Sequence, residues 1–183
     1  MSRHLGLGIE EKPAVDAQNV GAADVALLWL GGHDFKPPED LAGNELKEYL
    51  RAGGTLLASA SCGSKAFDDA FVPWAQNLFG DDRWQTIPAD DSIMTGSLPG
   101  FLGSTLHALT LRSSLDGAPP VRLDWPILYG VRDQGRWMLI YSPYDIACGL
   151  TGHPCIGCVG YVPRDATTLT ANLVLHVATR PAP

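Results

Sequence analysis

Residues 24–32 have the sequence Asp24-Val25-Ala26-Leu27-Leu28-Trp29-Leu30-Gly31-Gly32, an apolar run closed by two glycines. Consecutive apolar residues place hydrophobic side chains on both faces of a strand, which is typical of the centre of a parallel sheet. A helical pattern follows at residues 41–50 and ends at Gly53-Gly54, and residues 55–60 are a second apolar run. Strand, helix and strand with short connections predict a βαβ unit in an α/β sheet.

The rest of the chain adds further predicted elements. A helix is predicted from Ser64 to Gly80, with a break at Pro73, and Asp165 is predicted to begin the last helix. The predicted strands are residues 84–87, 106–111, 127–131 and 136–142, and Asp133-Gln134-Gly135 is predicted to be a hairpin turn before the last of them. We expect residues 90–106 to be a surface excursion and residues 148–164 to be irregular.

Length and charge limit the class of protein. The 183 residues fit a single α/β domain spanning residues 1–183, and the pattern of the first twenty residues suggests that an N-terminal strand is missing and that the chain is part of a longer protein. A net charge of −7 argues against nucleic acid as a partner. No apolar run reaches the roughly 20 residues of a membrane span, and no signal peptide is visible. We therefore expect no membrane insertion, and bacterial cytoplasm or periplasm stays open as the location.

Several short motifs together carry a family resemblance. They are residues 30–35 (Leu-Gly-Gly-His-Asp-Phe), Cys62-Gly63, residues 87–93 (Ile-Pro-Ala-Asp-Asp-Ser-Ile), residues 141–145 (Tyr-Ser-Pro-Tyr-Asp) and Asn172. With these motifs the chain resembles the bacterial domain-of-unknown-function family 4159 from about Leu27 onward. The resemblance implies a three-layer α/β fold, a mostly parallel sheet with helices on both faces, flavodoxin-like or class I glutamine amidotransferase-like. Ser61-Cys62 and Asp91 depart from the family pattern, which often has Asp and His at these places. The family has no settled activity, so the resemblance bears on fold more than on function.

Three of the four cysteines fall within eleven residues, in the segment Cys148-x4-His153-x-Cys155-x2-Cys158. Two thiolates at Cys-x-x-Cys spacing reach one tetrahedral zinc ion, and a nearby Cys and His complete four ligands. The predicted metal ligands are Cys148, His153, Cys155 and Cys158. Two alternatives stay open: a Cys155–Cys158 disulfide or redox pair, and reduced thiols packed as small apolar side chains.

Cys62 lies between a predicted strand and a predicted helix, where a nucleophile of the amidotransferase type would stand. A helix N-terminus favours the reactive thiolate, and the thiol would need a base. His33 is the first candidate for this base, with His107 and His153 as alternatives. A different hypothesis puts Cys62 beside Cys148 at the same sheet edge, either replacing His153 as a metal ligand or forming a disulfide.

Polar residues follow the predicted strands at the edge where open α/β sheets bind ligands. The predicted ligand-binding residues are His33, Asp34, Ser61, Ser142 and Asp145. The alternative is that His33 and Asp34 only cap the helix that follows them.

Two main hypotheses of function result. The first is a non-catalytic, amidotransferase-like binding module for a small polar ligand or a protein partner, with a Cys/His-rich loop that holds a structural zinc ion. The second is a thiol-dependent hydrolase or amidotransferase relative that uses Cys62. A purely structural role in a larger, envelope-associated assembly is a third. The Walker, dinucleotide-binding, serine-hydrolase and zincin motifs are absent from the sequence.

Overall fold

A computed structural model of the chain describes residues 8–15, 19, 24–38, 40–98, 100–106, 108–112, 118–123, 127–152 and 157–179. In this part of the chain the strands are β1 (Leu27–Gly32), β2 (Thr55–Ala60), β3 (Trp84–Thr86), β4 (Ser97–Leu98), β5 (Phe101–Leu102), β6 (Leu109–Leu111), β7 (Val121–Leu123), β8 (Tyr129–Asp133) and β9 (Arg136–Ser142). The α-helices are α1 (Asp40–Arg51), α2 (Lys65–Phe79), α3 (Ser92–Thr95), α4 (Ala147–Thr151) and α5 (Pro163–Ala178). Short 3₁₀ turns occupy Ser61–Gly63 and Asp81–Arg83.

The main sheet is mixed, with the strand order β1-β2-β9-β8-β3. β2 pairs in parallel with β1 and with β9. β8 pairs antiparallel with both β9 and β3. The pairs β4–β5 and β6–β7 form two separate antiparallel ribbons. Antiparallel pairings therefore outnumber parallel ones among the described strands.

This topology overturns the predicted fold class. The expectation of a three-layer, mostly parallel sheet of the flavodoxin or class I glutamine amidotransferase type is wrong, because half of the main sheet is antiparallel. The cause is the connection between β8 and β9, which has only two residues, Gln134 and Gly135. Such a tight turn joins only antiparallel strands, whereas parallel neighbours need a long crossover. Among the described strands, β1 also lies at the edge of this sheet and not at its centre, and its Trp29 is 39% exposed.

Most of the strong local predictions are confirmed. β2 and β9 have the predicted bounds, and α1, α2 and α5 lie within two or three residues of theirs. The predicted surface excursion at 90–106 is wrong, because Ile93 and Met94 of α3 are fully buried against α5. The segment expected to be irregular contains the short helix α4.

The buried side chains of the described residues form two clusters, and neighbouring residues of β2 contribute to different ones. Leu56 packs with Leu50 of α1 and Phe71 of α2. Leu57 packs in the other cluster, with Ile93 of α3 and Leu169 of α5. Each such buried side chain contributes about 1.5–3 kcal/mol to folding. Both faces of β2 are therefore covered, which fixes the position of its carboxyl end.

Two motif residues of the family resemblance have structural roles. The amide group of buried Asn172 donates to the carbonyls of Ile93 (2.9 Å) and Ser104 (2.8 Å). Asp91 accepts the N–H of Ile93 at the start of α3 and the indole N–H of Trp137 at 2.8 Å. These hydrogen bonds attach the 90–106 segment to α5 and β9.

The parallel pair β2–β9 positions the candidate site. Ser59 of β2 lies opposite Ser142 of β9, so the residues that follow the two strands leave the sheet at the same edge. Cys62 follows β2 and Asp145 follows β9. Among the described helices none is long and apolar enough to cross a lipid bilayer.

Candidate cysteine–aspartate site

Cys62 has an unusual backbone conformation between β2 and α2. Its φ of 54° and ψ of 19° lie in the left-handed region, which a residue with a side chain rarely adopts. Such a conformation costs on the order of 1 kcal/mol and persists only where its surroundings hold it. The Cys62 N–H donates to Asp145 Oδ2 at 2.6 Å, and the Cys62 carbonyl accepts from the Val159 N–H at 3.0 Å. Contacts from two distant segments therefore hold this turn.

Asp145 is the centre of the site. It is 4% exposed, and Oδ1 accepts the N–H of Cys148 at 2.8 Å while Oδ2 accepts the N–H of Cys62. The thiol of Cys158 lies 3.8 Å from Oδ2 and donates to it. One carboxylate thus connects the turn after β2, the turn after β9 and the 157–161 segment.

Arg112 supplies the positive charge next to this carboxylate. It follows β6, and its Nη2 lies 3.4 Å from the Sγ of Cys158, which is 1% exposed. The Arg112 N–H also donates to the Gly160 carbonyl at 2.7 Å, so backbone contacts fix the position of the arginine. The charge of Asp145 is one of the causes that raise the pKa of Arg112, so this carboxylate has a cation in its neighbourhood.

Gly160 allows the 157–161 segment to approach Asp145 closely. A Cβ at this position would lie 2.6 Å from the Asp145 carbonyl oxygen and 2.9 Å from the Asp145 Cβ. The Tyr161 N–H donates to the Asp145 carbonyl at 3.0 Å, and Asp145 and Gly160 form a parallel bridge. Only glycine fits this contact without displacing the backbone.

The ionisation of the cluster follows from its burial. Burial raises the pKa of the Cys158 thiol, and the hydrogen bond to Cys62 and the neighbouring Cys148, Cys62 and Asp145 groups raise it further. Burial lowers the pKa of Arg112, but its hydrogen bond to Cys148 and the charges of Cys148, Cys158 and Asp145 outweigh this effect and leave the pKa raised. Cys158 is therefore a neutral thiol beside a charged arginine.

Three potential metal ligands converge at this point. One ligand atom each from Cys62, Asp145 and Cys158 lies within 4.8 Å of the other two. In a tetrahedral zinc site two sulfurs with bonds of about 2.3 Å are roughly 3.8 Å apart, so small side-chain rotations are enough to bring this set to metal-binding distance. We refer to these three residues as the Cys62–Asp145–Cys158 cluster.

The comparisons with known proteins agree with the resemblance seen in the sequence. Residues 1–178 match the family described as a domain of unknown function (DUF4159). The chain belongs to the DUF4159 family. No curated protein matches the chain.

The structure of this DUF4159 domain brings together some of the predicted site residues. Cys62 and Cys158 meet, as in the hypothesis that Cys62 takes the place of His153 among the metal ligands. Cys148 is adjacent through its N–H bond to Asp145. Cys62, Cys148 and Cys158 are not joined in disulfides, so the hypothetical Cys62–Cys148 bond is not present. His153 and Cys155, and the alternative base His107, lie outside the described residues.

The predicted ligand-binding residues do not form one group in the DUF4159 domain. Ser142 is fully buried, with its hydroxyl 2.8 Å from the Tyr144 carbonyl and 3.0 Å from the Tyr161 hydroxyl. Ser61 is partly buried, while His33 and Asp34 are exposed. The His33 carbonyl accepts from the Ser64 hydroxyl, but its imidazole makes no hydrogen bond to Cys62. Asp145 and Cys158, not His33, are the ionisable groups next to Cys62.

Arg112 is the residue of the site that the sequence analysis missed. It directly follows the predicted strand at 106–111, so its place at a strand end was visible. Its proximity to Cys158 depends on the backbone contact between residues 112 and 160, which no local pattern indicates.

Proposed function

We propose that this DUF4159 domain is a non-catalytic binding module, for a small polar ligand or a protein partner, in which a structural zinc ion joins the loops at one edge of the sheet. The observation that carries the zinc proposal is the convergence of two sulfurs and one carboxylate oxygen in the Cys62–Asp145–Cys158 cluster. Two thiolates and a carboxylate are ligands that zinc accepts in proteins.

The balance of charge supports this ligand set. Two thiolates and one carboxylate carry three negative charges, and Zn²⁺ together with the adjacent Arg112 supplies three positive charges. Buried charges are tolerated when they are paired in this way. Zinc binding would replace the two thiol protons, so affinity should depend on their release.

Cys148 is the candidate for the fourth ligand. Its backbone N–H donates to Asp145 Oδ1. Its side chain, like that of Cys158, interacts with Arg112. His153 and Cys155 stay predictions, because they lie outside the described residues.

The proposed role of the zinc is to order loops that have little regular structure. The cluster joins the turn after β2, the turn after β9 and the 157–161 segment. Metal binding would offset the conformational entropy that these loops lose on folding. The exposed His33 and Asp34, in the turn attached to Ser64, would then offer polar contacts to a ligand or partner.

Metal analysis of the purified full chain tests the zinc proposal. We expect one zinc ion per chain by inductively coupled plasma mass spectrometry, and loss of that zinc in Cys62→Ser and Cys158→Ser. Asp145→Asn tests the carboxylate ligand of the proposed zinc site. Asp133→Asn is its matched control, because Asp133 pairs with Arg83 away from the cluster. Loss of zinc in Cys148→Ser would identify the fourth ligand. A wild-type chain that stays metal-free after dialysis against equimolar zinc would contradict the proposal.

One observation favours the second candidate, a thiol-dependent hydrolase. The left-handed backbone of Cys62 at a strand–helix junction resembles the strained turns that expose catalytic nucleophiles. Hydrolysis of an activated ester that disappears in Cys62→Ser, while circular dichroism shows an unchanged fold, would support this function. The binding module predicts no such turnover in the wild-type chain.

A further inference from the structure

Cys62 and Cys158 have the geometry of a thiol pair rather than of two isolated cysteines. Their sulfurs lie within 4.8 Å of each other. They are not joined by a disulfide. The residue after Cys158 donates its N–H to the Cys62 carbonyl at 3.0 Å, so the two backbones run side by side at this point.

We infer that Cys62 and Cys158 undergo thiol–disulfide exchange with low-molecular-weight disulfides and form an intramolecular disulfide. The inference goes beyond the proposed zinc site. It concerns the same two sulfurs, but it does not require that the domain binds zinc.

Disulfide closure would start from two sulfurs that are already neighbours. A disulfide needs Cα atoms about 5.5–6 Å apart and an S–S bond of about 2.05 Å. The two sulfurs already lie within 4.8 Å of each other, and the hydrogen bond from the Val159 N–H to the Cys62 carbonyl holds the two turns together. Rotation about the side-chain bonds of the two residues can therefore bring sulfurs that are already neighbours to bonding distance.

The surroundings give the two cysteines different roles. Cys62 is partly exposed and is accessible to a small disulfide, whereas Cys158 is buried behind it. Arg112 Nη2, 3.4 Å from the Cys158 sulfur, stabilises negative charge on that sulfur as it reacts. Asp145 Oδ2 already accepts the Cys158 thiol proton in a hydrogen bond.

The exchange balances in two steps. The Cys62 thiolate attacks one sulfur of a symmetrical disulfide such as oxidised glutathione, which breaks its S–S bond and releases one thiolate. The Cys158 thiolate then attacks the Cys62 sulfur of the mixed disulfide, forms the Cys62–Cys158 bond and releases the second thiolate. The two cysteine protons pass to the two released thiolates. The protein is oxidised by two electrons, and the small disulfide is reduced.

Mass spectrometry of the zinc-stripped full chain tests this inference. After incubation with oxidised glutathione and trapping with iodoacetamide, we expect a species that carries two fewer carbamidomethyl groups than the reduced chain trapped in the same way. Peptide mapping should locate the bond between Cys62 and Cys158. The Cys148→Ser variant should behave like the wild type.

The single variants separate the two steps. Cys158→Ser should stop at the mixed disulfide on Cys62, and Cys62→Ser should form neither species. Arg112→Gln should accumulate more mixed disulfide than the wild type at the same time point, because the second attack is slowed. Circular dichroism checks that each variant is folded, and the wild-type peptide map does not depend on any variant.

Two results would overturn the inference. One is a wild-type map that links Cys62 to Cys148 or Cys155 to Cys158. The other is full alkylation of Cys62 and Cys158 after equilibration with excess oxidised glutathione. Because the assay uses metal-free protein, failure to bind zinc in the metal analysis would leave its outcome unaffected.

Discussion

Asp145 concentrates several interactions in one buried carboxylate. It accepts two backbone N–H groups, at 2.6 and 2.8 Å, from segments that precede α2 and begin α4. Hydrogen bonds to a charged acceptor contribute about 1.5–3 kcal/mol each, more than bonds between neutral groups. Asp145 therefore stabilises the contact between these two segments whether or not a metal is bound.

We expect Asp145→Ala to lower the free energy of unfolding by about 3–5 kcal/mol, because both N–H groups would stay buried without an acceptor. Asp145→Asn, which keeps one acceptor oxygen, should cost less. Urea unfolding of zinc-free protein measures both. Asp133→Ala is the control and should cost less than about 1 kcal/mol, since its partly exposed pair with Arg83 is a surface salt bridge. Equal losses in the two alanine variants would contradict this role of Asp145.

A second prediction at the residue scale concerns alkaline pH. Tyr141 is fully buried, and its hydroxyl donates to Asp68 Oδ1 at 2.7 Å. Burial raises the pKa of Tyr141, and the hydrogen bond and charge of Asp68 raise it further. The folded state therefore keeps the proton that an unfolded tyrosine releases near pH 10. Stability should be fully present below that pH and fall as the pH rises above it.

Urea midpoints measured on both sides of about pH 10 test this expectation. Tyr141→Phe should be less stable than the wild type near neutral pH, because the hydrogen bond is lost, and should show a shallower alkaline decline. Phe67→Leu, which removes packing against the same ring but no titrating group, should keep the wild-type decline. If the urea midpoint of Tyr141→Phe falls with alkaline pH as steeply as that of the wild type, groups other than Tyr141 cause the decline.

At the scale of elements, the β8–β9 hairpin determines the character of the sheet. Its turn residues Gln134 and Gly135 have φ values of 47° and 80°, as a type I′ turn requires. The sequence predicted this turn, and the turn alone implies an antiparallel pair. The mostly parallel sheet was expected because the βαβ pattern and the family resemblance were extended to the whole chain. The pairing of β3 with β8 has no local signal, since Trp84 and Val131 are far apart in the sequence.

The turn offers a matched pair of substitutions. Gln134→Asn should stabilise the domain by about 0.5 kcal/mol, because asparagine tolerates positive φ better than glutamine. Gly135→Ala should destabilise it by about 1 kcal/mol. A Cβ at Gly135 would meet no atom within 4 Å. The loss of stability in Gly135→Ala therefore measures the backbone strain of the positive φ, without a steric clash. Thermal unfolding measures both changes, and shifts of the same sign would be inconsistent with a type I′ turn.

At the scale of the whole molecule, the site depends on distant segments. The sequence predicted that Cys62 and the residues after β9 meet at one edge, because both follow predicted strands at the carboxyl edge of one sheet. It did not predict Arg112 or the close approach of Gly160, which come from pairings between β6 and the 157–161 segment. Periodicity identifies elements, whereas contacts between irregular segments depend on packing that no short pattern encodes.

Zinc should stabilise the entire domain if the proposed site is correct. At a free zinc concentration of about 100 times Kd the expected gain is about 2.7 kcal/mol. For a chain of this length that corresponds to a rise in Tm of about 5–10 °C. Calorimetry with zinc and then with a chelator measures the shift, which should vanish in Cys158→Ser. A Tm that does not respond to either addition would argue against a structural metal.

The hydrogen bond between Cys62 and Asp145 also has a consequence for the order of folding. These residues are 83 positions apart, so their contact requires the ends of β2 and β9 to be side by side. Asp145 and Cys158 are only 13 positions apart and can meet earlier. Contacts of long sequence separation form late, since the entropy of closing the intervening loop must be overcome first. We therefore expect Asp145 and Cys158 to meet before Cys62 joins them, so that a soft metal ion present during refolding would first encounter one thiol and one carboxylate.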